Sequence, residues 1–141
     1  MLLDANLLLY AVDRESRSHR GAAAFLEQVL SGPTRVGFPW PTLLAFLRIA
    51  THPRALRSPL DGATAWGFVA DWLACAGAWI PTPTPGHAEL LQRLIEAHDL
   101  RGNLIPDAHL AALAIEHGLA VVSTDSDFAR FTEVRWHNPL A

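Results

Sequence analysis

Apolar residues recur every three to four positions along most of the chain, and short unbroken apolar runs separate these stretches. Ala22, Phe25, Leu26, Val29 and Leu30 fall on one side of a helix across SRSHRGAAAFLEQVLSG, which Gly32 and Pro33 stop. The same spacing through Ala65, Phe68, Val69, Trp72 and Leu73 predicts a helix in DGATAWGFVADWLACAG, with Asp61 available as its N-cap. PTLLAFLRIATHP has Pro41 near a first helical turn and ends before Pro53. GHAELLQRLIEAHDL and IPDAHLAALAIEHG read as two further helices. The breaker RGN separates them, and the second has Pro106 early and Gly118 at its end.

The intervening runs predict strands. Residues 1 to 4 form a short buried strand ending at Asp4, and NLLLYAV follows as helix. RVGF is a second strand, AWI a third that runs into a Pro-rich turn, and LAVVST the most regular of all. DSDFARF turns into a short helix before EVRWHNP closes as an edge strand. Strands alternating with helices at this spacing predict parallel βαβ units. The expected architecture is a three-layer α/β/α fold with a mainly parallel sheet of four to five strands, built as one domain over residues 1–141 without repeats or linkers. In such sheets ligands sit outside the carboxyl ends of the strands.

Composition narrows the chemistry. Half of the 141 residues are hydrophobic and 18% are charged, which favours a packed core over disorder. No apolar stretch reaches the roughly 18 residues a membrane span needs. The apolar N-terminus contains Asp4 and has no basic residue ahead of it, unlike a secretory signal, so a cytoplasmic location is expected. The single cysteine, Cys75, excludes an intrachain disulfide and is assigned to packing. All 11 basic residues are arginine, so mechanisms that need a catalytic amine, a Walker lysine or a Schiff base are excluded. With a net charge of −3, the chain must hold any polyanion by a local arginine patch or through metal ions.

Acids recur at the predicted element ends. Asp4 ends the first strand, Asp125 follows LAVVST, and Asp107 opens the helix IPDAHLAALAIEHG. Each has a plain alternative: Asp4 as a helix cap, Asp107 as a complement to a helix dipole, Asp125 as a turn or cap. If the three converge, their repulsion and burial require cations, and Mg²⁺ or Mn²⁺ suits a carboxylate set with an open face.

LLDANLLLYAVD, RGNLIPDAHLAALAIEHG and VVSTDSDFARF, in that order and spacing, resemble the PIN-domain ribonucleases, and in particular the VapC-type toxins of bacterial VapBC toxin-antitoxin pairs. The likeness runs over essentially the whole chain. It places the family's acids on Asp4, Asp107 and Asp125 as catalytic and metal-holding residues. It implies a Mg²⁺- or Mn²⁺-dependent endoribonuclease that inhibits translation and growth, with cleavage leaving a 5′-phosphate and a 3′-hydroxyl. It also implies a homodimer and a VapB-like antitoxin partner. The family's third-helix glutamate is replaced here by Ala45, and Asp127 is the nearest acid in sequence that could stand in, its alternative being a solvated cap of the DFARF helix.

His98, His109 and His117 have no metal-ligand spacing, so the acid set stands without a histidine general base. Arg48 and Arg101 are candidates for phosphate contact, against the plain reading of surface charge. Trp66 and Trp72, on one helix, read as core or interface. Two other functions compete. One is a catalytically weak or inactive PIN-like module that binds RNA or protein, its activity lost with the missing glutamate. The other, a phosphotransfer enzyme with an aspartate at a strand end, depends on a lysine the chain does not contain.

Overall fold

The computed structural model describes all 141 residues. In chain order the elements are β1 (Leu2–Leu3), α1 (Ala5–Val12), α2 (His19–Ser31), β2 (Val36–Gly37), α3 (Trp40–Ala50), α4 (Gly62–Leu73), β3 (Ala78–Trp79), α5 (His87–His98), α6 (Leu104–His117), β4 (Val121–Val122), a 3-10 turn (Ser126–Arg130) and β5 (Trp136–His137). Every predicted helix and strand is present. The five strands pair in parallel in the order β3-β2-β1-β4-β5.

The order follows from where the apolar faces can go. Successive strand residues point to opposite sides of a sheet, so Leu3 and Val122 belong to one core cluster while Leu2 and Val121 belong to the other. The first cluster packs Leu7, Leu26, Phe46, Val69 and Trp72 of α1 to α4 against the sheet. Trp72 lies parallel to Phe38, with ring centroids 6.1 Å apart, and takes Phe46 edge-on at 4.9 Å. The second cluster packs Leu94 of α5, the alanine-rich face of α6, Phe128 and Phe131 on the far side. The small side chains of α6, Ala108, Ala111, Ala112 and Ala114, are buried, which brings this helix close to the sheet.

Caps set the element boundaries. Asp61 Oδ1 accepts the Thr64 N–H at 2.7 Å and starts α4. Gly118 ends α6 at φ +67°, a conformation that strongly favours glycine. From β1 the chain steps to β2 and β3 in one direction, then returns to place β4 on the other side of β1. The carboxyl ends of β1 and β4 therefore flank the reversal point of the sheet, where α/β folds open a crevice.

Candidate active site

The side chains at this crevice are joined through Ser123, the fully buried residue that follows β4. A hydroxyl offers one donor and two acceptor positions, and all three are used here. Ser123 Oγ donates to Asp4 Oδ2 at 2.7 Å, and accepts from Asn6 Nδ2 at 3.2 Å and from the Asp125 N–H at 3.0 Å. Asn6 in turn accepts the Thr124 N–H at 3.4 Å. Trp136 Nε1 donates to the Ser123 carbonyl at 3.0 Å, and Thr42 of α3 donates to the Leu3 carbonyl at 2.8 Å. The ends of β1 and β4 are thus fixed to each other and to their neighbours β5 and α3.

Asp4 is a helix cap as well as a member of this network. Its Oδ1 accepts the Ala5 N–H at 2.8 Å at the start of α1, while Oδ2 holds Ser123. Asp125 caps the 3-10 turn, its Oδ1 accepting the Asp127 N–H at 2.9 Å. Asp107 comes in from the first turn of α6. Carboxylate oxygens of Asp107, Asp125 and Asp127 all lie within 4.8 Å of one another. Asp4 adjoins this set: its charge acts on Asp107, and the charge of Asp125 acts on it.

The structure thus draws together Asp107 and Asp125, keeps Asp4 beside them through Ser123, and adds Asp127. Of the two readings of Asp127, a stand-in for the α3 glutamate and a solvated cap, the cap does not hold: Asp125 is the residue that caps the turn, and Asp127 joins the acids from an exposed position. The crowding shows in the protonation of Asp107. Burial, followed by the charges of Asp4, Asp125 and Asp127, pushes its carboxyl up to about 6, with only Arg130 opposing. Burial also raises Asp4, against the hydrogen bonds from Ser123 and Ala5 that favour its charged form.

This has a measurable consequence for the metal-free chain. A carboxyl at about 6 when folded and 3.8 otherwise binds its proton more tightly in the folded state. Its ionisation therefore weakens the fold fully above pH 6, and that loss disappears as pH falls to about 4. Asp107→Asn should raise the melting temperature of the metal-free chain at pH 7.5 by about 4 °C, corresponding to about 1 kcal/mol after solvent screening is allowed for. The gain should shrink toward zero at pH 4. A thermal scan in which the variant melts lower than the parent at pH 7.5 would show that helix-dipole stabilisation of the charged Asp107 outweighs the crowding.

Three hard oxygen donors beside further negative charge, opposed by a single guanidinium, fit a divalent cation such as Mg²⁺ or Mn²⁺. Helix α3 adds no carboxylate, because Ala45 stands where the related glutamate is expected. No histidine enters the acid set. His109 meets His87 at 3.0 Å, His98 binds Glu133 at 2.9 Å and His117 binds the Thr82 carbonyl at 2.7 Å. Arg101 pairs with Asp99 at 3.1 Å, whereas Arg48 has no partner. Trp72 is buried in the core, and Trp66 and Trp40 are exposed. Ser123, Asn6, Thr42 and Arg130 were not singled out from the sequence. A polar VVST exit directly before an acid is the one signal that could have drawn attention to Ser123.

Comparison with known proteins accords with this geometry. The PIN domain profile matches residues 1–134. Ribonuclease VapC37 of Mycobacterium tuberculosis (strain ATCC 25618 / H37Rv) is 48% identical over 140 residues, covering 99% of this chain and 97% of that protein. Ribonuclease VapC33 of the same strain is 39% identical over 137 residues, covering 97% and 96%. Among solved structures, VapBC-1 from nontypeable Haemophilus influenzae superposes with a TM-score of 0.71 at 14% identity, covering 99% of this chain and 98% of that one. Mycobacterium tuberculosis VapC20, described as a sarcin-ricin loop cleaving toxin, superposes with a TM-score of 0.69 at 19% identity, covering 95% and 98%. At these identities the superpositions speak for the fold alone.

Proposed function

Because the chain belongs to the PIN-domain family, among the VapC ribonucleases, we propose that it hydrolyses RNA phosphodiester bonds with Mg²⁺ or Mn²⁺ held by Asp4, Asp107 and Asp125. The observation that carries this reading is the meeting of Asp107 and Asp125, with Asp4 tied alongside through Ser123, at the reversal point of the sheet. A divalent ion bound there supplies Lewis acidity, lowering the pKa of a water and offsetting charge that develops on the phosphoryl oxygens.

The residues of the chain do the remaining work. Asp4, Asp107 and Asp125 would hold the ion. Ser123 fixes the Asp4 carboxylate and the backbone of Asp125 so that neither has to reorganise during the reaction. Asp127, whose carboxylate lies within 4.8 Å of those of Asp107 and Asp125, would receive a proton or hold a water there. Arg130 is the cation that acts on Asp107 and can face a phosphate. In this scheme water attacks phosphorus and the P–O3′ bond breaks, its oxygen leaving as the 3′-hydroxyl, so the products carry a 5′-phosphate and a 3′-hydroxyl.

As a toxin of this kind, the chain would act on growth by cutting RNA needed for translation, and would be held in check by a VapB-like antitoxin. The structural neighbours include VapBC complexes, which supports such a partner. A homodimer is part of the same proposal, and the exposed Trp40, Leu44 and Trp66 supply apolar surface for it. No helix is long and apolar enough to cross a membrane, in keeping with a cytoplasmic place of action. Ala45 favours one competing reading, a PIN-like module that binds RNA without cutting it.

Incubating the purified chain with 5′-labelled RNA and mapping the product ends distinguishes the two. Cleavage that yields 3′-hydroxyl ends, stops with excess EDTA and resumes on adding Mn²⁺ is expected. Cyclic phosphate ends, or cleavage indifferent to the chelator, would overturn the mechanism, and RNA binding without cleavage would favour the inactive module.

A further inference from the structure

The acid lip and the net charge of −3 leave open how a polyanion is retained. Every cation of the chain is an arginine, and the only arginine ion pair is Arg101 with Asp99. Three unpaired arginines, Arg48, Arg54 and Arg57, lie exposed within ten residues at the end of α3 and the segment after it. Two of them, Arg48 and Arg54, line a cavity of about 180 Å³ together with Ile49, His52 and Ala55. His52 is oriented by the backbone: the Arg54 N–H donates to its Nδ1 at 3.1 Å, which leaves Nε2 as the N–H of the neutral ring. Two guanidiniums and an imidazole N–H around a small concavity form a donor set for a phosphate.

We propose that Arg48, His52 and Arg54 bind a backbone phosphate of the substrate RNA, outside the acid site. The proposal rests on the reading of the chain as a ribonuclease. Helix α3 connects the two places, since its Thr42 is bonded to the carbonyl at the end of β1, and Arg48 lies six residues, about 9 Å, further along the helix axis. RNA cut at the lip would lay its flanking strand along α3 and meet this cavity. The neighbouring cavities carry Asp13 and Glu15 beside Arg14 and Arg57, so their charge is mixed. Of these three cavities, only the one at the end of α3 has arginines in its lining without an acid. A peptide ligand would gain little here, because the donor set offers charge and hydrogen bonds but little apolar surface beyond Ile49 and Ala55.

The test is fluorescence anisotropy of a labelled single-stranded RNA of about 20 nucleotides, titrated with the chain carrying Asp107→Asn so that it is not consumed. Adding Arg48→Ala and Arg54→Ala should weaken binding about tenfold and reduce the slope of log affinity against log salt by about 0.7, the contribution of one single-strand phosphate contact. The pair Arg48→Lys and Arg54→Lys, which keeps the charge, should retain most of that slope. In the otherwise native chain the alanine pair should raise KM for the same RNA and leave kcat unchanged. Unchanged affinity and slope, with the parent binding RNA, would overturn the phosphate site alone. Altered self-association with unchanged RNA affinity would reassign the cluster to a protein interface, and a parent that binds no RNA would remove both this proposal and the ribonuclease reading.

Discussion

Asp107→Asn should lower the rate of RNA cleavage at saturating Mn²⁺ by more than about 100-fold. Changes to groups that only orient metal ligands typically cost 10- to 100-fold, and Asp107 is a ligand in this account. It is also the carboxyl on which the charges of Asp4, Asp125 and Asp127 converge, with its own pushed up to about 6. An amide of the same shape removes that charge and leaves the surrounding carboxylates less able to hold a divalent ion. The fold should persist, because asparagine fits the first turn of α6 and relieves repulsion in the metal-free chain. Steady-state cleavage together with circular dichroism checks both halves. A folded variant that cuts at the parental rate would remove Asp107 from the site.

Ser123→Ala should reduce cleavage by about 10- to 100-fold although it removes no proposed ligand. The hydroxyl donates to Asp4 and accepts from Asn6 and from the Asp125 N–H, so one atom sets two carboxylate-bearing segments against each other. Deleting it leaves part-buried polar groups without a partner, which costs about 1 to 3 kcal/mol of stability. More importantly, it frees the Asp4 side chain to rotate about its cap. The expected signature is a higher Mn²⁺ concentration for half-maximal rate combined with a lower maximal rate. A variant that loses stability but keeps the parental metal dependence would make Ser123 a packing residue only.

Much of this arrangement could be read along the chain, and the physics explains where reading stopped. Periodicity placed every helix, because each buries one stripe against a sheet, and caps such as Asp61 and Gly118 marked the ends. Asp107 and Asp125 were legible because they sit at element boundaries, where a carboxylate is either a cap or a ligand. Asp4 turned out to be a cap through one oxygen and part of the network through the other, a division that no single-residue reading anticipates. Strand order was the missing link. The chain does not state that β4 returns beside β1, and only that adjacency brings residues 4 and 123 together.

Asp127 was underestimated for a related reason. Along the chain it can be either a cap or a stand-in for the missing glutamate, but the 3-10 turn takes Asp125 as its cap and brings Asp127 beside Asp107. Helical spacing does not predict the direction of side chains in so short a turn. The phosphate-sized cavity at Arg48 and Arg54 was likewise invisible, since Pro53 ends the periodic pattern and the segment beyond it has no repeat from which its shape could be inferred. Arg101, equally plausible as a phosphate contact, proves to be paired with Asp99.

Divalent-ion binding at the lip of β1 and β4 is measured directly by titrating the metal-free chain with Mn²⁺ and following the paramagnetic signal of the free ion. Saturable binding is expected, weakened at least tenfold by Asp4→Asn and by Asp107→Asn each, and left intact by Arg48→Ala. Equal Mn²⁺ affinity in the parent and both aspartate variants, or no binding by the folded parent, would contradict it.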